Sequence, residues 1–250
     1  MPYLGKVAAA EIVGPTVNGN CKPLRIKDED GQIYVVKGIG NPGKAALVSE
    51  LISVQIAERM GLRVPSYAVM DVPEDLIQYS LDPLAANLSG APAFASAWVT
   101  GAEELTFHEA QKLPDDVQQR TLLLDVLLGN GDRELDAFGG NVNLLWTAEA
   151  SPIVFDHNLA FNMDLPEYWI ENHVFAGQAH AFRDYAVRDE WGKLIDSVLC
   201  DWDNIASLVP AEWMYWDADG RTSATNPTIE ERRGWLERYR TKPEIFWRDL

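Results

Sequence analysis

The sequence predicts an α+β chain, β-rich in its first part and mainly helical afterwards. Three observations predict it. Residues 6 to 39 fall into short alternating runs separated by Gly, Asn and Asp, the pattern of antiparallel strands. From Glu103 onward the pattern turns helical, with a proline and acidic residues at a helix start. Within that helical part, Leu144-Leu145-Trp146 and Ile153-Val154-Phe155 read as two short strands. At 250 residues and 47% hydrophobic, the chain fits one domain with two lobes or two small domains, with a sizeable core.

In order, Lys6 to Val13 is expected as a strand and Val13 to Asn20 as a turn rich in Gly and Asn. Gly14 and Gly19 give that turn the flexibility to offer backbone N–H groups to a phosphate, and an ordinary hairpin loop reads the same way. Leu24 to Lys27 and Gln32 to Gly38 flank a hairpin turn at Asp28-Glu29-Asp30-Gly31. Lys37 shares a strand face with Ile33 and Val35, so its amine is either recruited inward or snorkels to water where the strand ends.

A helix is expected from Pro42 to Met60. Leu47, Glu50, Val54 and Ala57 form one stripe of it, and a carboxylate on an apolar stripe wants a buried partner. Lys37 is the natural partner, the alternative being a glutamate at the stripe's edge. Val64 to Val72 reads as a strand, residues 73–92 as irregular, and Ala93 to Val99 as a strand of small residues. Pro114 at the first helical position, beside Asp115 and Asp116, opens a helix to Leu128 with Val117, Leu124 and Leu128 inward. Arg188 to Leu208 has apolar residues at helical spacing. Thr228-Ile229-Glu230-Glu231 is a capping box opening a helix through Arg240, whose basic residues read as a solvated face or a docking site for an acidic partner.

A net charge of −17 argues against a nucleic-acid groove and against an anionic membrane surface. No run approaches the ~20 apolar residues of a membrane span. The N-terminus lacks the pattern of a signal peptide. Cys21 and Cys200 could form one disulfide, but read rather as two free thiols of a cytoplasmic chain. His108, His157, His173 and His180 lack zinc-ligand spacing.

The chemistry is expected between Leu122 and Phe161. A helical run ends in Asn130-Gly131-Asp132-Arg133, Asn141-Val142-Asn143 follows, and the second short strand ends on Asp156. Taken alone, Asn-Gly-Asp-Arg is also what any turn uses. The order Asp, Asn, strand, strand, Asp is the kit for holding Mg²⁺ against a phosphate chain and orienting a hydroxyl, because phosphoryl transfer is catalysed mainly by positioning and charge neutralisation.

These residues resemble the catalytic and metal-binding loops of the HipA-like kinases, and more distantly of the phosphatidylinositol kinases. The matching residues are Asn130, Asp132 and Arg133, then Asn141 with Asn143 two residues on, then Asp156 in Phe155-Asp156-His157-Asn158. The resemblance implies a two-lobed protein-kinase-like fold: an N-lobe over 1–92, a hinge over 93–100 and a C-lobe over 101–250, with ATP between the lobes. It implies Mg²⁺-dependent transfer of the ATP γ-phosphate to a hydroxyl, most simply a protein Ser or Thr. Asp132 would orient the hydroxyl, and Arg133 would steady the loop or the phosphate. Asn141 or Asn143 would hold metal with Asp156. Lys37, braced by Glu50, would hold phosphates under the glycine loop, in which Thr16 is a candidate phosphorylated hydroxyl. The backbone around Ala95 and Ala97 would meet the adenine edge, and an antitoxin-like partner is expected. The family usually spaces Asp and Asn by about five residues, whereas Asp132 and Asn141 are nine apart. That longer loop keeps open a nucleotide-binding pseudokinase acting as an interaction module. A phosphatidylinositol-type lipid kinase would use the same site.

Overall fold

The computed structural model describes residues 2–16, 21–136, 139–147, 151–166, 168–248 and 250. The expected phosphate-loop residue Gly19 lies outside them. The elements run β1 (Tyr3–Pro15), β2 (Leu24–Asp28), β3 (Ile33–Lys37), α1 (Lys44–Arg59), β4 (Tyr67–Asp71), α2 (Glu74–Gln78) and β5 (Ala93–Ala97). There follow β6 (Glu103–Glu104), α3 (Phe107–Ala110), α4 (Asp115–Leu128), β7 (Glu134–Asp136), β8 (Gly139–Asn141), β9 (Leu144–Trp146) and β10 (Ile153–Val154). The chain ends with α5 (Tyr185–Leu199), α6 (Trp202–Ser207), α7 (Ala211–Met214), α8 (Ile229–Leu236), α9 (Arg238–Thr241) and α10 (Pro243–Phe246). It divides into two compact units: Met1–Leu51, Pro65–Thr100 and Val209–Asn226 form one; Ile52–Val64, Gly101–Leu208 and Pro227–Leu250 form the other.

In the first unit β1, β2, β3, β5 and β4 hydrogen-bond in that order and close into a barrel. Alternation sends Leu24 and Ile26 of β2 and Tyr34 and Val36 of β3 into its interior. Alanines at 9, 68, 93 and 95 fill the remaining space, where larger side chains would not fit among five strands. β1 runs to Pro15, so Gly14 lies in a strand, opposite Arg25, rather than in the expected turn. After β3 the backbone passes close to residue 87: a Cβ on Gly38 would sit 2.2 Å from the Asn87 carbonyl oxygen, so only glycine fits. The expected irregular stretch 73–92 contains α2 and a 3₁₀ turn, Pro83–Leu88. In the segment 209–226, fully buried Trp213 donates its indole N–H to the Pro92 carbonyl at 2.7 Å.

The second unit is built on α4. Pro114 is its N-cap residue rather than its first helical one. From Thr121 to Asn130 every residue is buried, so α4 is central rather than amphipathic. The helical spacing over Arg188–Leu208 is carried by two helices, α5 and α6, separated at Cys200 and Asp201. The Thr228 capping box forms as expected, with Glu231 reaching back to the cap, but α8 stops at Leu236 and α9 resumes at Arg238. Cys21 and Cys200 are thiols and form no disulfide. No helix among the described residues is long and apolar enough to cross a membrane.

Candidate active site

In the second unit, α4 ends at Gly129, whose φ of +65° makes the left-handed C-cap. The next residues turn back towards the helix. The backbone N–H of Asn130 donates to the Asp125 carbonyl at 2.8 Å, and its side-chain amide donates to the Asp125 carboxylate at 2.8 Å. Arg133, three residues on, places its Nε 2.6 Å from the same carboxylate. Asp132 is therefore carried on a loop pinned on both sides by one buried anion.

Asp125 has a third partner, His173, at 3.0 Å. Because His173 Nδ1 accepts the Phe175 backbone N–H at 3.0 Å, its proton sits on Nε2 and is donated to Asp125. Burial alone would raise the Asp125 pKa, but the Arg133 guanidinium and His173 outweigh it and hold the carboxyl well below the usual range. Burial holds the His173 imidazole below its ordinary value, against the pull of Asp125. Sequence reasoning missed Asp125 and His173. The available signal was a carboxylate inside the apolar run Leu122-Leu123-Leu124-Asp125-Val126-Leu127-Leu128.

Arg133 and Asn130 are fully buried. Arg133 also donates to the carbonyls of Val142, at 3.0 Å, and Asn143. Of its two expected roles, the geometry supports steadying the loop, and the hydrogen bonds of Asn130 likewise run to Asp125.

The nine-residue spacing from Asp132 to Asn141 is taken up by a hairpin. β7 and β8 pair antiparallel, with Glu134 opposite Asn141 and Asp136 opposite Gly139 at the far end. Asn141 thereby returns to Asp132, and its amide donates to Asp132 Oδ2 at 2.7 Å. Asn143, immediately before β9, donates to the same oxygen at 2.9 Å and makes a longer contact, 3.5 Å, to the Asp156 carbonyl. β9 and β10 pair antiparallel, Leu144 opposite Val154, which sets Asn143 and Asp156 at one end of the pair. Both residues have left-handed backbones, φ 47° and 56°, a region Asn and Asp tolerate. Burial, and then the Asp156 carboxylate, push the Asp132 carboxyl above its ordinary value, while the two amides and Arg133 pull it back.

The donor chemistry fits a hard cation. Both amides turn their NH₂ groups to Asp132, leaving their oxygens as acceptors, and two carboxylates repel each other across the same space. No group of three or more His, Cys, Asp or Glu side chains suited to a metal forms among the described residues. Metal would therefore be held by amide, carboxylate and phosphate oxygens together.

In the first unit, Lys37 and Glu50 form an ion pair with both residues buried. Lys37 is recruited inward to α1, as one of the two sequence readings had it. Ala95 and Ala97 do not form an open strand edge. β5 pairs with β3 on one side and β4 on the other, the Ala97 N–H goes to the Ser66 carbonyl, and Ala95 sits inside the barrel. The Ala97 N–H and the backbone of Ala95, expected near the adenine edge, are thus paired within the barrel.

A solved structure, the Helicobacter pylori proinflammatory kinase CtkA, is similar over 97% of this chain and 96% of its own, at 12% identity and a TM-score of 0.54. At that identity the likeness is one of fold. No curated protein matches the chain. A sequence model described as HipA-like kinase matches residues 9–250, nearly the whole chain, and with the Asp132, Asn143 and Asp156 cluster just described the protein belongs to the HipA-like kinase family.

Proposed function

We propose that the chain transfers the γ-phosphate of ATP, with Mg²⁺, to a protein Ser or Thr hydroxyl. The observation that carries this reading is the convergence of Asn141 and Asn143 on one oxygen of Asp132, with Asp156 beside them. Among the described residues Asp132 Oδ1 has no partner, so it is the oxygen to meet an incoming hydroxyl. In the reaction the hydroxyl oxygen bonds to the γ-phosphorus, the bond to the bridging oxygen of ADP breaks, and Asp132 takes the hydroxyl proton. A carboxyl raised above its ordinary value is a better proton acceptor than a free aspartate.

Asp156 and an amide oxygen would hold Mg²⁺, which supplies charge neutralisation at the phosphates when bound. Of the two amides Asn143 is favoured, because it links Asp132 to Asp156 directly. Lys37, fixed by Glu50, would hold phosphate oxygens. The two-lobed kinase arrangement, a protein acceptor and an antitoxin-like partner belong to the same reading.

Titration calorimetry with Mg-ATP tests the binding half. Wild type is expected to bind saturably. A Lys37→Met, Glu50→Gln double variant, which leaves no lone buried charge, is expected to bind at least ~10-fold more weakly. Equal affinity in the two would remove Lys37 from the site. The lengthened spacing before Asn141 no longer favours a pseudokinase, since the β7–β8 hairpin returns Asn141 to Asp132.

A further inference from the structure

The barrel of the first unit has a seam. β1 pairs in parallel with β4 from Tyr3 to Ala8, where Ala8 lies opposite Asp71 and β4 ends. β1 continues to Pro15, and over Ala9–Pro15 its ladder partner is β2, on one edge. α2 and the residues after it lie across the seam, with Leu76, Ile77 and Leu84 packed on the barrel core. They cover the core without completing the sheet. Among the described residues no backbone hydrogen bond joins Ala9–Gly14 to Val72–Pro83.

A groove of about 950 Å³ lies between these two segments. One wall is Ala9 to Gly14, six consecutive residues. A wall made of consecutive rather than alternate residues is bordered by the strand's edge, because a strand's face shows only every second side chain. The opposite wall carries Tyr79 and Leu81, which are 79% and 101% exposed. The charged residues lining the groove are Glu11, Asp75 and Asp82, all acidic. Lys27 on β2 pairs with Glu11 at 2.7 Å, which leaves the two aspartates dominating the field.

We propose that this groove docks an extended, basic segment of a partner protein, which adds to the free edge of β1. A strand paired on one edge offers alternate N–H and C=O groups on the other, and an added strand satisfies them. Six residues of strand span about 20 Å, enough for main-chain pairing with a segment of similar length. Apolar side chains of the segment would rest on Tyr79 and Leu81, and Lys or Arg side chains would face Asp75 and Asp82. A second copy of this chain, with its net charge of −17, is a poor occupant.

The probe is a fluorescein-labelled nonapeptide of alternating lysine and valine, followed by anisotropy with the full chain. Two comparators separate the contributions: one with glutamate for each lysine, and one with proline for each valine, which keeps the charge and abolishes strand pairing. Expected is saturable binding of the first peptide, weaker by roughly tenfold or more for each comparator. Asp75→Lys and Leu81→Asp, both on exposed side chains, are expected to weaken it by about fivefold or more with an unchanged circular dichroism spectrum. Amide exchange is expected to slow over residues 9–14 when the peptide binds. The proposal is overturned by unsaturable binding, by equal binding of the proline peptide, by exchange protection confined elsewhere, or by sedimentation showing dimers that both variants dissociate.

Discussion

The Asp125 carboxylate lies 2.6 Å from Arg133 Nε, and neither side chain reaches solvent. The pair ties the end of α4 to the carbonyls of Val142 and Asn143, and so holds the loop bearing Asp132 against the short link between β8 and β9 that bears Asn143. Asp125→Ala leaves the Arg133 guanidinium buried without its counter-charge. That is expected to cost ~3–5 kcal/mol in urea unfolding, a core-sized loss from a residue that is not itself catalytic. A loss below ~1 kcal/mol would show that solvent reaches the cluster.

Stability is expected to fall as pH drops below neutrality. The folded His173 value is depressed, so the neutral ring is favoured in the folded state. Its contribution is present above the unfolded value of about 6.5 and is lost as pH falls through that value towards the folded one. Protonating Nδ1 also removes the acceptor for the Phe175 N–H. The folded Asp125 value is depressed as well, but its contribution is lost only below about pH 4, outside this window. Urea unfolding at pH 7.5 and 5.5 is expected to show wild type weaker at 5.5 and His173→Gln with a flatter dependence. Equal slopes would place the titration elsewhere.

Much of this site is legible in the sequence, because its polar residues interrupt apolar runs at loop ends. Asp132, Asn141, Asn143 and Asp156 are brought together, and Lys37 meets Glu50, 13 residues away, across one strand and one helix. Asp125 was hidden because a helix buried all round has no polar face from which a misplaced charge stands out, and because one of its partners lies 48 residues further on. Ala95 misled because a small side chain reads equally as room for a ligand and as filling for a narrow barrel. The break between α5 and α6 was invisible because Val198 and Trp202 both face the core, so apolar spacing continues across Cys200 and Asp201.

Gly129 is held at φ +65°, and a Cβ there would come 2.9 Å from the Trp235 ring. Gly129→Ala is expected to cost at least ~1–2 kcal/mol and to lower activity by shifting the Asp132 loop. Gly177→Ala, with φ outside the left-handed region and nothing within 4 Å of the new methyl, is expected within ~0.5 kcal/mol of wild type. Thermal unfolding of the two variants side by side makes the comparison.

Asn141 is exposed, whereas Asn143 is buried and bonded to both Asp132 and Asp156. Asn143→Gly keeps the left-handed backbone and removes the amide. It is expected to raise the Mg²⁺ concentration needed for half-maximal activity by about tenfold or more, and Asn141→Ala by less. The reverse order would make Asn141 the ligand.

The most direct measurement is transfer of label from [γ-³²P]ATP to the protein itself and to a cell lysate, with and without Mg²⁺. Wild type would run beside Asp132→Asn and Asp156→Asn, both of which keep the local backbone. The expected result is Mg²⁺-dependent label that falls by ~10²–10⁴-fold in Asp132→Asn and disappears in Asp156→Asn. Label that persists unchanged in both variants, or wild type that binds Mg-ATP and transfers nothing, would contradict the assignment of these carboxylates to phosphoryl transfer.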